Sequence, residues 1–147
     1  MKVKMVDVSL KPEVFREAIA SGKIFLRKKT IELIREGKVE KGDVFSSSTI
    51  AAILAVKKTS EIIPLCHPIP ITHVDVDFSI YDSYVKVTVK VRTTAKTGVE
   101  MEALTGVMAA LLTIWDMVKK YEKDERGQYP ETAITDIRVL AKLKGEK

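Results

Sequence analysis

Ile71-Thr72-His73-Val74-Asp75-Val76-Asp77-Phe78-Ser79-Ile80, a turn around Asp82-Ser83, and Val85-Lys86-Val87-Thr88-Val89-Lys90-Val91-Arg92 decide the fold. In the first run Thr72, Val74, Val76, Phe78 and Ile80 alternate with His73, Asp75, Asp77 and Ser79. In the second, Val85, Val87, Val89 and Val91 alternate with Lys86, Thr88, Lys90 and Arg92. Side chains of a strand point to alternate faces, so each run has one apolar and one polar side. Two such runs joined by a short polar turn read as an antiparallel hairpin with one face buried.

The flanking segments supply the remaining layers. Downstream, a helical pattern runs from about Thr97 to Tyr121, a charged loop with Gly127 and Pro130 covers Glu122 to Thr132, and Ile134 to Leu143 reads as a last strand. Upstream, Pro64, Pro68 and Pro70 exclude helix or central strand around Cys66. Before them, Asp43 is placed to N-cap a helix reaching about Ser60, in which Ile50, Ile53, Leu54 and Lys57 recur at helical spacing. Thr30 to Glu36 fits a short helix stopped by Gly37. Residues 1 to 9 look extended. Residues 10 to 26 read two ways, since Pro12 can start a helix while Ile24-Phe25-Leu26 reads as strand. The order predicts an α+β ferredoxin-like sandwich, a four-stranded antiparallel sheet with helices on one face, in a single domain over 1–147.

Composition narrows the class. The chain has 147 residues, 46% of them hydrophobic, and a net charge of +5 with lysines scattered among acidic residues. That balance suits a polyanionic small molecule, or simple solubility, as well as nucleic acid. Cys66 is alone, which rules out an intrachain disulfide. No uninterrupted apolar run approaches the roughly 20 residues of a membrane span, and the N-terminus lacks a signal-peptide core. A cytoplasmic protein with no membrane partner is expected.

The helical pattern after Thr97 carries ionisable groups inside an apolar run. Glu102, Thr113, Asp116 and Lys120 fall within roughly 40° of one stripe, and Met101, Leu104, Met108, Leu111, Leu112, Trp115 and Val118 cover most of the rest. Glu102 and Asp116 are separated by about 21 Å along the axis at 1.5 Å per residue. One small-molecule site cannot use both ends of such a helix. If both ends are functional, each site takes its halves from two subunits.

Several blocks together resemble the molybdenum cofactor biosynthesis protein C family, the cyclic pyranopterin monophosphate synthases. They are Met5-Val6-Asp7-Val8-Ser9, Lys41-Gly42-Asp43-Val44, Lys57-Lys58-Thr59, Ile63-Pro64-Leu65-Cys66-His67-Pro68, Thr97 to Thr105, and Leu112-Thr113-Ile114 with Asp116-Met117 and Lys119. The resemblance spans nearly the whole chain. It implies conversion of a 3′,8-cyclo-dihydroguanosine triphosphate to cyclic pyranopterin monophosphate, with loss of pyrophosphate. It implies catalytic roles for Asp116, Lys119 and Lys41. Substrate contacts are implied for Lys57, Leu65, Cys66, His67, Glu100, Met101 and Glu102. It also implies a homohexamer, a trimer of dimers, with sites at subunit interfaces. No tightly bound cofactor or resident metal is expected; a Mg2+ ion can accompany the triphosphate. Two departures stand out. Ser48-Thr49-Ile50-Ala51-Ala52 replaces an Ala-Arg-Ile-Ala-Gly run, and Lys144-Gly145-Glu146-Lys147 replaces a Gly-Gly-Lys-Ser tail. The loop from Glu122 to Thr132 is also longer than the family pattern.

Each residue also has an ordinary reading. Asp43 is an N-cap, Lys41 and Lys57 are solvated lysines, and His67 holds a turn. Glu100 and Glu102 favour the helix dipole, and Asp116 with Lys119 is an i,i+3 pair worth a few tenths of a kcal/mol. His73, Asp75 and Asp77 share a strand face but read as a solvated surface rather than a metal site. A nucleic-acid module on a ferredoxin-like sheet would show aromatics on the open face to stack bases; the polar positions of the hairpin offer no such pair. A non-catalytic nucleotide sensor would share the lysine-rich pocket without turnover.

Overall fold

The computed structural model describes residues 1–145; Glu146 and Lys147 of the altered tail lie outside the described residues. The chain runs β1 (Val14–Phe25), α1 (Lys28–Arg35), α2 (Val44–Lys57), a one-turn α3 (Thr59–Ile62), β2 (His73–Ile80), β3 (Tyr84–Ala95), α4 (Glu100–Glu122) and β4 (Ala133–Lys144). The four strands form one antiparallel sheet in the order β2-β3-β1-β4. The helices pack on one face, with α4 over β1 and β3 and α2 beside it toward β2. This is the expected ferredoxin-like sandwich.

The hairpin forms as its alternation predicts. Val85, Val87, Val89 and Val91 are fully buried beneath the helices, each contributing about 1.5–3 kcal/mol of transfer free energy. The two-way segment 10–26 resolves as a strand. Ala18, Ala20, Gly22 and Ile24 alternate toward the helices, and Glu17, Ile19, Ser21 and Lys23 take the other face. Pro12 therefore precedes a strand rather than starting a helix. β4 is an edge strand whose register against β1 shifts twice; Asp136 takes a φ of 55° near the second shift.

Three details differ from the sequence reading. The helix after Asp43 ends at Lys57, and Thr59–Ile62 forms a separate turn. In α2 the buried face is Val44, Ser48, Ala52 and Val56, whereas Ile50 and Leu54 are more than half exposed. Small residues face α4 because the helices approach closely: a Cβ on Gly106 would stand 2.8 Å from Val56 Cγ2. On α4 the same inversion appears. Met101, Met108 and Leu112 point outward, while Glu102 is 3% exposed. Third, the open sheet face does carry aromatics: Phe25 lies opposite Tyr84 across β1 and β3, their rings 5.3 Å apart, and Tyr81 stacks on Tyr84 at 4.5 Å. They occupy one corner, with Lys23 Nζ 4.8 Å from the centre of the Tyr84 ring. Phe25 comes from β1, whose sequence reads two ways, and Tyr81 and Tyr84 flank the hairpin turn, outside the alternating runs on which the reading rested.

α4 has 23 residues, and its hydropathy and length would suffice to cross a membrane. Half of that stretch is buried against the sheet and α2, and it also carries Glu102 and Glu122 inward. It is a core helix. Its C-terminal end is tied down by Glu122, fully buried, which accepts hydrogen bonds from Thr30 Oγ1, Thr132 Oγ1 (2.7 Å) and Arg27 N (3.1 and 3.2 Å). A buried carboxylate is tolerated there because both oxygens are satisfied and it faces the N-terminal end of α1.

Gly22 sets how closely α4 sits on β1. A Cβ there would lie 2.8 Å from both Leu111 Cδ1 and Val107 Cγ1. Gly22→Val should lower unfolding free energy by about 1–3 kcal/mol through overpacking, read as a lower denaturant midpoint. An unchanged midpoint would contradict this close approach.

Candidate active site

Two groups of candidate site residues form at opposite ends of α4. The first is built around Asp116. Lys119 lies one turn further along the helix, and its Nζ donates to Asp116 Oδ1 at 3.0 Å. Lys41 arrives from the turn before α2, and its Nζ donates to Asp116 Oδ2 at 3.1 Å and to the Asp116 carbonyl at 3.2 Å. That turn is shaped by Gly42, whose φ of 113° favours glycine, and by the Gly42 N–H bond to Val39 O. It is held to α4 on the other side. Glu40 N donates to Tyr121 Oη at 2.9 Å, and Lys120 pairs with the Glu40 carboxylate. Asp43 caps α2 by accepting from Ser46 N at 2.9 Å, so its ordinary role holds.

The hydrogen bond from Lys119, and then that from Lys41, holds the Asp116 carboxyl below the usual carboxylate range. The same bond raises Lys119 above the usual lysine range. In the single chain Asp116 therefore favours the protonated form of Lys119. Asp116, Lys41 and Lys119 are all substantially exposed here, so this cluster is a presented surface rather than a closed pocket.

The second group lines an open cleft of about 350 Å³ at the start of α4. Leu65, Cys66 and His67 come from the proline-rich loop, and Glu100, Met101 and Glu102 from the first turn of the helix. The loop is pinned by Cys66 N bonding Ile63 O at 3.1 Å, by Thr93 Oγ1 bonding Pro70 O, and by Thr72 N bonding Arg92 O at 2.9 Å. Six of the seven residues expected to bind substrate thus meet in one cleft. Lys57 does not line it; it ends α2 as an exposed side chain. Thr49, where the family pattern has arginine, returns its hydroxyl to Phe45 O on its own helix.

Burial pushes the Glu102 carboxyl above the usual range. Its Oε2 accepts from Cys66 Sγ at 3.7 Å, and among the described residues its Oε1 has no hydrogen-bond partner. An unpaired buried acceptor costs about 1–3 kcal/mol. Burial, then the charge and hydrogen bond of Glu102, raise the Cys66 thiol. Glu100 behaves differently. Burial opposes its charge, but the hydrogen bond from Lys142 Nζ at 2.9 Å and a backbone N–H outweigh burial and bring it below the usual range. A Cβ at position 98 would lie against that carboxylate, which would have to swing aside.

Lys142 and Arg16 are the participants that the sequence reading missed. Lys142 faces the helices because it pairs with Ala18 across β1 and β4. Arg16 is 8% exposed and donates to the carbonyls of Ala95 (3.3 Å) and Lys96 (3.1 Å), bracing the entry to α4. The available signal for Lys142 was alternation along β4, but the two register shifts obscure it.

The fold thus places two clusters of ionisable side chains at opposite ends of one helix. The chain belongs to the MoaC family, whose model matches residues 5–145. It is 62% identical over 145 residues to a protein of Pyrococcus furiosus named probable cyclic pyranopterin monophosphate synthase, covering 99% of this chain and 93% of that one. A Thermococcus kodakarensis protein of the same name is 63% identical with the same coverage. A Methanothermobacter thermautotrophicus protein, 62% identical over 98% of this chain and 91% of its own, is named probable cyclic pyranopterin monophosphate synthase accessory protein.

Cys66 offers a direct test of the cleft. Its raised thiol should react slowly with iodoacetamide at mildly alkaline pH, because the thiolate is the nucleophile. Glu102→Gln removes the charge that opposes the thiolate and should speed alkylation severalfold. Equal rates in the two proteins would contradict the contact.

Proposed function

We propose that each active site is assembled from two chains, one presenting Lys41, Asp116 and Lys119, the other presenting the cleft of Leu65, Cys66, His67, Glu100, Met101 and Glu102. The reaction is the lyase reaction of the family. (8S)-3′,8-cyclo-7,8-dihydroguanosine 5′-triphosphate is converted to cyclic pyranopterin monophosphate and pyrophosphate, an early step of molybdenum cofactor biosynthesis. The observation that carries the two-chain reading is the placement of the two clusters about 21 Å apart on one continuous helix. The outward stripe of Met101, Met108 and Leu112 on α4, with Ile50 and Leu54 on α2, supports it, because an exposed apolar face of this extent suits a second copy of the chain. A trimer of such dimers gives the hexamer, a cytoplasmic assembly whose triphosphate substrate arrives with its own Mg2+.

The chemistry follows from the side chains. Opening the imidazole portion and closing a pterin needs proton transfers, and departure of pyrophosphate needs cations on developing negative charge. Lys119 and Lys41 supply both. In the single chain Asp116 raises Lys119, so the carboxylate orients the ammonium groups rather than activating them. Activation is the work of the second chain, which covers the lysines, removes water and sets them against one another; both effects release protons from lysine. Lys57 adds positive charge for the triphosphate.

Lys119→Ala and Lys41→Ala should each cut turnover by roughly 10²- to 10⁴-fold with fold and oligomer intact. Lys119→Arg should not restore it, because guanidinium keeps its proton near neutral pH. Well-folded alanine variants that turn over at near wild-type rates would return both lysines to a solvated role. Lys57→Ala should raise KM and flatten its salt dependence, since a screened contact is lost; an unchanged KM and salt response would make Lys57 an ordinary surface lysine.

A further inference from the structure

Lys41 is held at both ends by α4. At its tip, Nζ bonds Asp116 Oδ2 and the Asp116 carbonyl. At its root, the residue before it donates its backbone N–H to Tyr121 Oη at 2.9 Å. Tyr121 packs a half-buried ring against the core, further along the same helix than Asp116. Both anchors therefore belong to one rigid element, which also carries Lys119. The segment bearing Lys41 has little else to fix it there. Gly37 and Gly42, with φ of 66° and 113°, bracket it. Its other backbone bonds run back to α1 or stay within it, from Lys38 N to Leu33 O at 2.9 Å and from Gly42 N to Val39 O at 3.1 Å. Val39 is buried, but an open cavity of about 340 Å³, lined by Gly37, Val39, Gly42 and Phe45, lies beside it. The Lys120–Glu40 pair joins the same two elements, yet its side chains are 60% and 67% exposed, and such pairs contribute little. Among the described residues, the Tyr121 bond is the one hydrogen bond from α4 to the backbone of residues 38–42.

A lysine side chain is long and rich in rotamers, so an ammonium whose root drifts can reach its partner in many poses. Fixing root and tip on one helix leaves few. Placement of that kind matters to rate, since a reacting group misplaced by about 1 Å can cost roughly 10²-fold. Resting on the functional reading above, which gives Lys41 a part in the chemistry, we propose that Tyr121 is a positioning residue for that chemistry. Its hydroxyl oxygen accepts the Glu40 N–H and so fixes the backbone from which Lys41 reaches Asp116. Tyr121 touches no reacting atom. It makes Lys41, Asp116 and Lys119 one rigid cluster, although Lys41 comes from a different segment of the chain. Lys120 steadies the arrangement from the side, with its Nζ 5.4 Å from the centre of the Tyr121 ring and paired with Glu40.

The test uses the full-length protein and Tyr121→Phe, which keeps the ring and removes only the acceptor, so fold and assembly persist. Amide hydrogen exchange of residues 38–42, read by mass spectrometry without substrate, should quicken severalfold in the variant. With the cyclic nucleotide, kcat should fall by about tenfold while KM stays within about twofold, because the lost placement bears on the transition state and not on ground-state binding. The decisive readout is the double variant. In a Lys41→Ala background, Tyr121→Phe should lower kcat no further, since both changes act through the same ammonium. Unchanged amide exchange, an unchanged kcat in the single variant, or a tenfold loss that persists in the Lys41→Ala background would each overturn the proposal. If Lys41→Ala alone turned over at near wild-type rates, the functional reading would fail, while the exchange readout would still decide whether Tyr121 holds the segment that carries Lys41.

Discussion

α4 is a rod of 23 residues, about 34 Å long, and it cannot bend its two ends together. That constraint governs the molecule. Gly22 and Gly106 let the rod lie close to β1 and to α2, the four buried valines of β3 form its bed, and Glu122 fastens its far end to α1. With the helix so firmly held, Glu102 and Asp116 keep a fixed separation. A site that needs both must close across a boundary between chains.

The two ends are chemically distinct. At the Asp116 end one exposed carboxylate serves two ammonium groups, one on each oxygen, and its ionisation is favoured. At the Glu102 end a carboxyl is buried with a thiol and a like charge, and its ionisation is disfavoured. The same residue type thus plays opposite parts because one is solvated among cations and the other is not. Glu100, two residues before Glu102, shows how local the distinction is, since the Lys142 ammonium and a backbone N–H together reverse the effect of burial.

Much of this was legible in the sequence, and the limits have physical causes. Strict alternation in 72–80 and 85–91 gave the hairpin, and Asp43 with Gly37 marked helix boundaries as capping chemistry requires. The distance between the two clusters also followed from helix rise alone. Which helix face is buried did not. Ile50, Leu54, Met101, Met108 and Leu112 carry the apolar signal yet point outward, while Ser48, Ala52 and Gly106 face inward because only small residues permit the close helix contact. An exposed apolar helix face looks, in one sequence, like a core. Arg16 and Lys142 were missed because β1 reads two ways and β4 shifts register.

The proposed active site is shared between chains, and mixing two inactive variants tests that sharing. Lys119→Ala removes a residue from one half-site and His67→Ala from the other. Co-refolded at equal amounts, random pairing of chains should restore roughly a quarter of wild-type turnover, because half the dimers are mixed and each then holds one intact site of two. A mixture as inactive as either variant alone, although its chains have exchanged, would mean that both halves come from the same chain and would rule out a shared site.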